Sequence, residues 1–137
     1  PLSVPWMELA PGAEYFAYEI TREMVDFLQS GFEAMNVCGR AIFRDILCDP
    51  PEESGDLAFL MKMVPCLERR EPGAALRVMD GLDVDWLVVT FPVRSLAGRS
   101  KHMPEHYTSL FRDMVAVRPW TLNEVDIKGE LVFAVRQ

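Results

Sequence analysis

The sequence lacks the features that define several protein classes. Only three cysteines occur in 137 residues, and none forms a CxxC motif or a Cys/His cluster, which argues against a disulfide scaffold and predicts reduced thiols. No apolar run approaches the ~20 residues of a membrane span, and the N-terminus has no basic segment followed by a signal-type apolar core. We therefore expect a soluble, cytoplasmic protein without a membrane partner.

What is present indicates a globular domain. Hydrophobic residues make up 50% of the chain and charged residues 26%, which excludes a disordered chain and a collagen-like repeat. A length of 137 residues suits one domain with one core, since domains cluster at about 100–150 residues.

Basic residues are scarce overall but unevenly distributed. The net charge of −7 taken alone argues against a nucleic-acid partner. Residues 1–60 hold eleven acids and three bases, whereas residues 94–118 hold five bases and two acids. A solvated acidic half beside a mildly basic segment is the simpler interpretation, and a polyanion site in the basic segment is the alternative.

Strand and helix patterns alternate along the chain. The predicted strands are residues 14–20, 40–47, 56–64, 86–91, 120–127 and 130–136, and the predicted helices are residues 21–36, a segment within 68–81, and 104–117. The second strand is expected to end at Asp45, and the nearly continuous apolar third strand to be covered on both faces. This order predicts an α/β fold with a mostly parallel sheet, helices on both faces and an antiparallel C-terminal hairpin turning at Lys128-Gly129.

Acidic residues follow two of the predicted strands, where open α/β sheets bind ligands. Glu19 is suited to accept hydrogen bonds from a ribose diol, and Asp45 to accept one from the exocyclic amine of an adenine. A nucleoside cofactor is therefore one interpretation, and helix capping by the same acids is the other.

Cationic residues raise a second possibility. Lys62 lies in a strongly apolar segment, so it is either a buried lysine with a partner or a function, or a surface lysine at a strand end. The loop of residues 94–102 contains Arg94, Arg99 and Lys101 with several hydroxyls, which suits phosphate contacts as well as simple solvation.

The sequence contains no motif for metal binding, ester hydrolysis or nucleoside-triphosphate hydrolysis. His102 and His106 lie four residues apart with no third ligand nearby, so no metal site is predicted. The sequence contains neither a GxSxG motif nor a P-loop, which leaves hydrolase and nucleoside-triphosphatase functions unsupported.

Several strings together resemble the aminoglycoside-resistance 16S rRNA (guanine-N7) methyltransferases. They occur in collinear order over essentially the whole chain: PL (1–2), PWM (5–7), YEI (18–20), DIL (45–47), FLMKMVPCLE (59–68), VVTFPVRSL (88–96), GRSK (98–101) and GELVF (129–133). The resemblance implies a Rossmann-like enzyme that uses S-adenosyl-L-methionine to methylate one guanine N7 of 16S rRNA in the small ribosomal subunit, which denies aminoglycosides their binding surface.

The resemblance also implies cofactor contacts. Glu19, with Ile20 beside it, stands where the family usually has an Asp for the cofactor ribose. Asp45 and Ile46 stand where an Asp-Leu pair contacts the adenine, and Met61 where a Leu lines the same pocket. Arg70 stands where the family tends to have a Gln near the cofactor.

The implied catalytic residues are cations. Lys62 and Arg99 match cations that the family needs for activity, through contacts to phosphates or bases of the target RNA. Arg94 and Lys101 join Arg99 as RNA-binding residues in the basic loop.

The family has two parts that the sequence lacks: an N-terminal RNA-binding domain, and a first strand with a glycine-rich turn. We therefore expect residues 1–137 to be part of a methyltransferase domain, cut from a longer enzyme. If residues 1–137 are instead the entire gene product, we expect that it cannot methylate and that it could fill its sheet by strand exchange in a dimer. A non-catalytic Rossmann-like remnant that binds a nucleoside, RNA or a protein is the alternative function.

Overall fold

The fold is described from a computed structural model, which gives residues 12–93 and 103–137. The chain divides into two compact units, residues 1–49 (unit 1) and residues 50–137 (unit 2). No helix among the described residues has the length and hydropathy needed to cross a membrane.

Unit 1 is a β-α-β segment. Strand β1 (Tyr15–Glu19) is followed by helix α1 (Arg22–Ala34) and strand β2 (Gly39–Phe43). The strands pair in parallel over their whole length, from Tyr15 opposite Gly39 to Glu19 opposite Phe43. Their carboxyl ends therefore lie at the same edge of this sheet.

Helix α1 packs on β2 through a glycine. Phe32 is buried, and a Cβ atom at Gly39 would lie 2.6 Å from the Phe32 ring. The Gln29 side chain accepts a hydrogen bond from the Ala41 N–H at 3.1 Å, which satisfies a backbone donor of β2. The helix can lie this close to the strand because Gly39 has no side chain.

Unit 2 contains the larger sheet. Its elements are β3 (Gly55–Met61), α2 (Val64–Arg70), α3 (Ala74–Asp80), β4 (Val84–Phe91), α4 (Met103–Val115), β5 (Thr121–Ile127) and β6 (Glu130–Arg136). The strand order is β3-β4-β6-β5, in which β3 and β4 are parallel and the other two pairs are antiparallel. The predicted α/β order and the C-terminal hairpin are confirmed, and Gly129 provides the positive φ of 86° that the turn needs.

An aromatic cluster forms the core of unit 2. The Phe91 ring lies 5.2 Å from the Phe111 ring and 5.8 Å from the Phe133 ring, in edge-to-face arrangements. Phe111 and Phe133 are themselves 5.1 Å apart, and all three side chains are fully buried. This cluster fixes α4 against β4 and β6.

The predicted ends of the second and third strands are wrong. The second strand ends at Phe43 rather than at Asp45, because the chain turns at residues 46–48. The third strand ends at Met61, and Val64 and Pro65 open helix α2, where proline is tolerated in the first turn. The helix predicted within residues 68–81 is confirmed as α3 (Ala74–Asp80), which begins directly after Gly73, whose φ is 81°.

The expectation that the third strand is covered on both faces is also wrong for the described residues. Leu60 is buried, whereas Leu57, Phe59 and Met61, which alternate with it, are 37–46% exposed. Along its length β3 pairs with β4 on one side, and no other described strand pairs with it. Among the described residues, β3 therefore has one unpaired backbone edge and an apolar face that is partly exposed.

Candidate functional site

The carboxyl end of β3 holds a lysine in a strained backbone conformation. Lys62 follows Met61 directly and has a φ of 58°, the left-handed region. Its N–H is shared between the carbonyl oxygen and the Oγ1 of Thr90, at 3.0 and 3.1 Å. A non-glycine residue in this region costs roughly 1–2 kcal/mol, and such strain collects at functional positions. The hydrogen bonds to Thr90 keep Lys62 in that conformation.

The Lys62 ammonium reaches across β4 to a carboxylate of β6. Its Nζ lies 3.1 Å from Oε1 of Glu130, and the two side chains are 51% and 31% exposed. Leu131 pairs with Phe91, so Glu130 lies beside the carboxyl end of β4. Of the two interpretations of Lys62, the structure supports a surface lysine at a strand end, and this lysine has a partner.

Two residues at this edge carry contacts that sequence reasoning missed. Thr90 is 6% exposed and is the buried polar residue of the described core, and its hydroxyl accepts from Lys62. Glu130 pairs with a residue 68 positions earlier in the chain. A polar residue at the end of an apolar strand was the signal available for Thr90, whereas the strand order was needed to find Glu130.

The acids of unit 1 lie at its carboxyl edge. Glu19 ends β1, and its carbonyl oxygen accepts a hydrogen bond from the Arg44 N–H at 2.9 Å. Asp45 follows β2 by two residues, so both acids belong to the edge where β1 and β2 end. Ile20 is 60% exposed and Ile46 is half-buried beside them. This brings together four of the residues predicted to contact a cofactor.

Asp45 also has a structural role. Its Oδ1 accepts a hydrogen bond from the Leu47 N–H at 3.1 Å, and its carbonyl oxygen accepts from the N–H groups of Cys48 and Asp49. These contacts form the turn that ends β2. Asp45 thus accepts backbone hydrogen bonds, as the helix-capping interpretation expects, but it does so in a turn. The turn fixes the carboxylate in one orientation.

The remaining predicted cofactor residues lie in unit 2. Met61 is the last residue of β3 and its side chain is 46% exposed. Arg70 is exposed in the last turn of α2. It lies beside Glu71, whose pKa is lowered mainly by a hydrogen bond from Arg77 and slightly by the positive charge of Arg70.

Glu68 is a further residue that sequence reasoning did not single out. Its two carboxylate oxygens accept hydrogen bonds from the N–H groups of Gly73 and Ala75, at 3.0 and 2.9 Å. These contacts fix the turn between α2 and α3. The Pro72-Gly73 pair after a glutamate was the available signal for such a turn.

Three predicted RNA contacts cannot be placed in this geometry. Arg94, Arg99 and Lys101 lie outside the described residues, as does His102. In the part of the chain that is described, no three His, Cys, Asp or Glu side chains are grouped in a way that could hold a metal ion.

The carboxyl edge of unit 1 offers the hydrogen-bond acceptors that a nucleoside needs. A ribose diol presents two hydroxyl donors, which a carboxylate such as that of Glu19 can accept together. No ion pair or side-chain hydrogen bond joins the Glu19 carboxylate to another residue among 12–93 and 103–137. The residues present therefore fit a ribose and its base at this edge.

The sequence matches the family model described as "Ribosomal RNA methyltransferase (FmrO)" over residues 1–134. The chain belongs to this family. A relative from Micromonospora rosea, named 16S rRNA (guanine(1405)-N(7))-methyltransferase, is 32% identical over 137 residues, which are all of this chain and 50% of the relative. A relative of the same name from Serratia marcescens is 35% identical over 94 residues, 69% of this chain and 38% of the relative.

The chain is also similar to solved structures of 16S rRNA methyltransferases. The crystal structure of 16S rRNA methyltransferase RmtF in complex with S-adenosyl-L-homocysteine has a TM-score of 0.79 and 31% identity, covering 89% of this chain and 47% of RmtF. The 16S rRNA methylase ArmA has a TM-score of 0.69 and 26% identity, covering 90% of this chain and 61% of ArmA. This family member therefore spans about half the length of the curated relatives it matches.

Proposed function

We propose that the protein carrying this chain methylates the N7 of a guanine in 16S rRNA, with S-adenosyl-L-methionine as the methyl donor, and thereby confers aminoglycoside resistance. The observation that carries the proposal is the family match over residues 1–134. The names of the relatives and the S-adenosyl-L-homocysteine in RmtF support the substrate and the cofactor. A location in the cytoplasm, with the small ribosomal subunit as partner, belongs to the same proposal.

The chemistry asks for positioning rather than proton transfer. When bound, S-adenosyl-L-methionine supplies a methyl group activated by a sulfonium. The guanine N7 carries a lone pair and no proton, so no side chain of this chain has to act as a general base. The residues of the protein need only hold the cofactor and the flipped or exposed guanine in reacting geometry.

The proposed cofactor contacts start at the carboxyl edge of unit 1. Glu19 accepts hydrogen bonds from the ribose hydroxyls, with Ile20 against the sugar. Asp45 accepts one from the adenine amine, with Ile46 against the ring. The fixed orientation of the Asp45 carboxylate, held by the Leu47 N–H at 3.1 Å, supports this role because a preorganised acceptor loses little freedom on binding.

Met61 and Arg70 complete the proposed cofactor residues. Met61 has the exposed, flexible, apolar side chain that packs well against a planar ring. Arg70 has an exposed guanidinium where the family tends to have an uncharged Gln, so it is the contact most open to test.

The proposed catalytic residues are Lys62 and Arg99, and the RNA-binding residues are Arg99, Arg94 and Lys101. The strained and anchored Lys62 supports its part of this assignment, because left-handed backbone at a residue other than glycine collects at functional positions. The other three are proposed from the family resemblance and from their positive charge.

We also propose that the enzyme contains structure beyond these residues that supplies further strands to its sheets. In the described part, β1 pairs only with β2 and β3 only with β4, so each has an edge able to accept a strand. An N-terminal RNA-binding domain and a first strand with a glycine-rich turn belong to this proposal. Strand exchange between two copies is the alternative source, and light scattering distinguishes a monomer from a dimer.

The experiment uses the purified protein that carries this chain. Calorimetric titration with S-adenosyl-L-homocysteine measures cofactor affinity. The reaction is measured by the transfer of a tritium-labelled methyl group from S-adenosyl-L-methionine to small ribosomal subunits, followed by mapping of N7-methylguanine. Asp45→Ala should weaken affinity at least about tenfold, which is about 1.4 kcal/mol, while Asp49→Ala, its exposed neighbour, should not. Lys62→Ala should lower methylation on the order of 100-fold, while Lys128→Ala should not.

The opposite results are equally informative. A wild-type protein that neither binds the homocysteine analogue nor labels the subunit would overturn the methyltransferase proposal and favour the non-catalytic remnant. Full activity in Lys62→Ala would show that the lysine assignment is wrong, although the family membership would stand.

A further inference from the structure

Lys62 is fixed at its backbone and also at its tip. The backbone N–H is bound to both oxygens of Thr90, and the ammonium is bound to Glu130 at 3.1 Å. A lysine side chain has four rotatable bonds and would otherwise sample many positions. Contacts at both ends therefore restrict the ammonium to one region at the carboxyl edge of β3 and β4.

Stability does not account for the ion pair. The Lys62 and Glu130 side chains are 51% and 31% exposed, and exposed pairs contribute little to folding. The left-handed backbone at Lys62 costs free energy in addition. The arrangement is therefore costly or neutral for the fold, and what it achieves is the orientation of one charge.

We propose that Glu130 is a positioning residue that orients Lys62 for the methylation of RNA. This inference rests on the proposed function, because it needs Lys62 to contact the target. An ammonium has three N–H donors, and Glu130 accepts one of them. The other donors remain directed by the same contact and can meet a phosphate or base oxygen of the RNA.

Glu130→Ala and Glu130→Gln test this role in the protein that carries the chain. Because the Gln amide oxygen can accept the same hydrogen bond at the same reach, Glu130→Gln should keep methylation within about threefold of wild type. Glu130→Ala should lower kcat for methylation by at least about tenfold, since small misplacement of an orienting group has effects up to about 100-fold. Affinity for S-adenosyl-L-homocysteine should not change in either variant.

Glu124→Ala is the matched control. Glu124 lies in β5 of the same sheet and pairs with Arg112 at 3.3 Å, with side chains of similar exposure, 45% and 59%. Its loss removes the same charge and a comparable ion pair, but it does not touch Lys62. A loss of kcat in Glu124→Ala equal to that in Glu130→Ala would overturn the proposal.

A double variant separates positioning from an independent effect. If Glu130 acts through Lys62, Lys62→Ala with Glu130→Ala should be as slow as Lys62→Ala alone. A further loss by the full factor of Glu130→Ala would overturn the inference. If Lys62→Ala alone is fully active, the lysine assignment of the proposed function fails instead, so the two failures are distinguishable.

Discussion

Units 1 and 2 differ in how many of their hydrophobic side chains are buried. Among residues 12–49, the buried hydrophobic residue is Phe32, and Ile20, Phe27 and Phe43 are 50–71% exposed. Unit 2 has a fully buried aromatic cluster and many buried aliphatic side chains beside it. A short β-α-β segment cannot bury enough surface to be stable alone. The stability of the described fold therefore lies in unit 2, and unit 1 depends on few contacts.

The largest expected effect comes from the core of unit 2. Phe91→Ala removes the ring that contacts both Phe111 and Phe133, and should lower the free energy of unfolding by about 3–5 kcal/mol in urea denaturation. Phe27→Ala also removes a phenyl ring, but from a side chain that is 71% exposed. This variant should change the free energy of unfolding by less than about 0.5 kcal/mol. Equal losses would mean that Phe27 is covered in the protein.

A single methyl group should suffice to disrupt unit 1. Gly39→Ala places a Cβ at 2.6 Å from the Phe32 ring, so the ring or α1 must shift, at a cost of about 1–3 kcal/mol. Native-state hydrogen exchange should show lost protection in β1 and β2 and unchanged protection in β4 and β6.

Gly31→Ala is the control for this change. Among the described residues, its Cβ would meet only the end of Met35, at 4.0 Å, and alanine is favoured over glycine in helices by roughly 1 kcal/mol. Protection should therefore rise slightly in unit 1. Uniform loss of protection in both units from Gly39→Ala would mean that the effect of the added methyl group is not confined to unit 1.

A smaller effect is expected at Lys62, where backbone strain can be measured directly. Lys62→Gly and Lys62→Ala both remove the ammonium, but only glycine adopts a φ of 58° without steric cost. Lys62→Gly should therefore be more stable than Lys62→Ala by about 1 kcal/mol in thermal or urea unfolding. Both variants should be defective in methylation. Equal stability would mean that the loop relaxes in the variants and that no strain is held at this residue.

The sequence predicted correctly those elements that depend on residues close together in the chain. The helix opened by Pro104 and the hairpin at Lys128-Gly129 were found because proline and glycine determine those backbones by themselves. The end of the second strand was predicted wrongly because the Asp45 side chain accepts a hydrogen bond from the Leu47 N–H, two residues further on, and so forms a turn. The Lys62–Glu130 contact depends on the order β3-β4-β6, which is a property of the whole sheet and has no local signature.

The last comparison concerns an ion pair within unit 2, and its effect should be the smallest. Arg118 donates hydrogen bonds to Asp80, joining the chain after α4 to the end of α3, and this contact lowers the pKa of the Asp80 carboxyl. A carboxyl with a lowered folded-state pKa adds stability above its ordinary pKa of about 3.9, and this is lost as pH falls through the lowered value. Both side chains are about one-third exposed, so solvent screening keeps the effect small. Asp80→Asn should therefore reduce the free energy of unfolding slightly at pH 7, and the difference from wild type should disappear on acidification. A difference that persists below the lowered pKa would mean that packing, rather than charge, makes the contact.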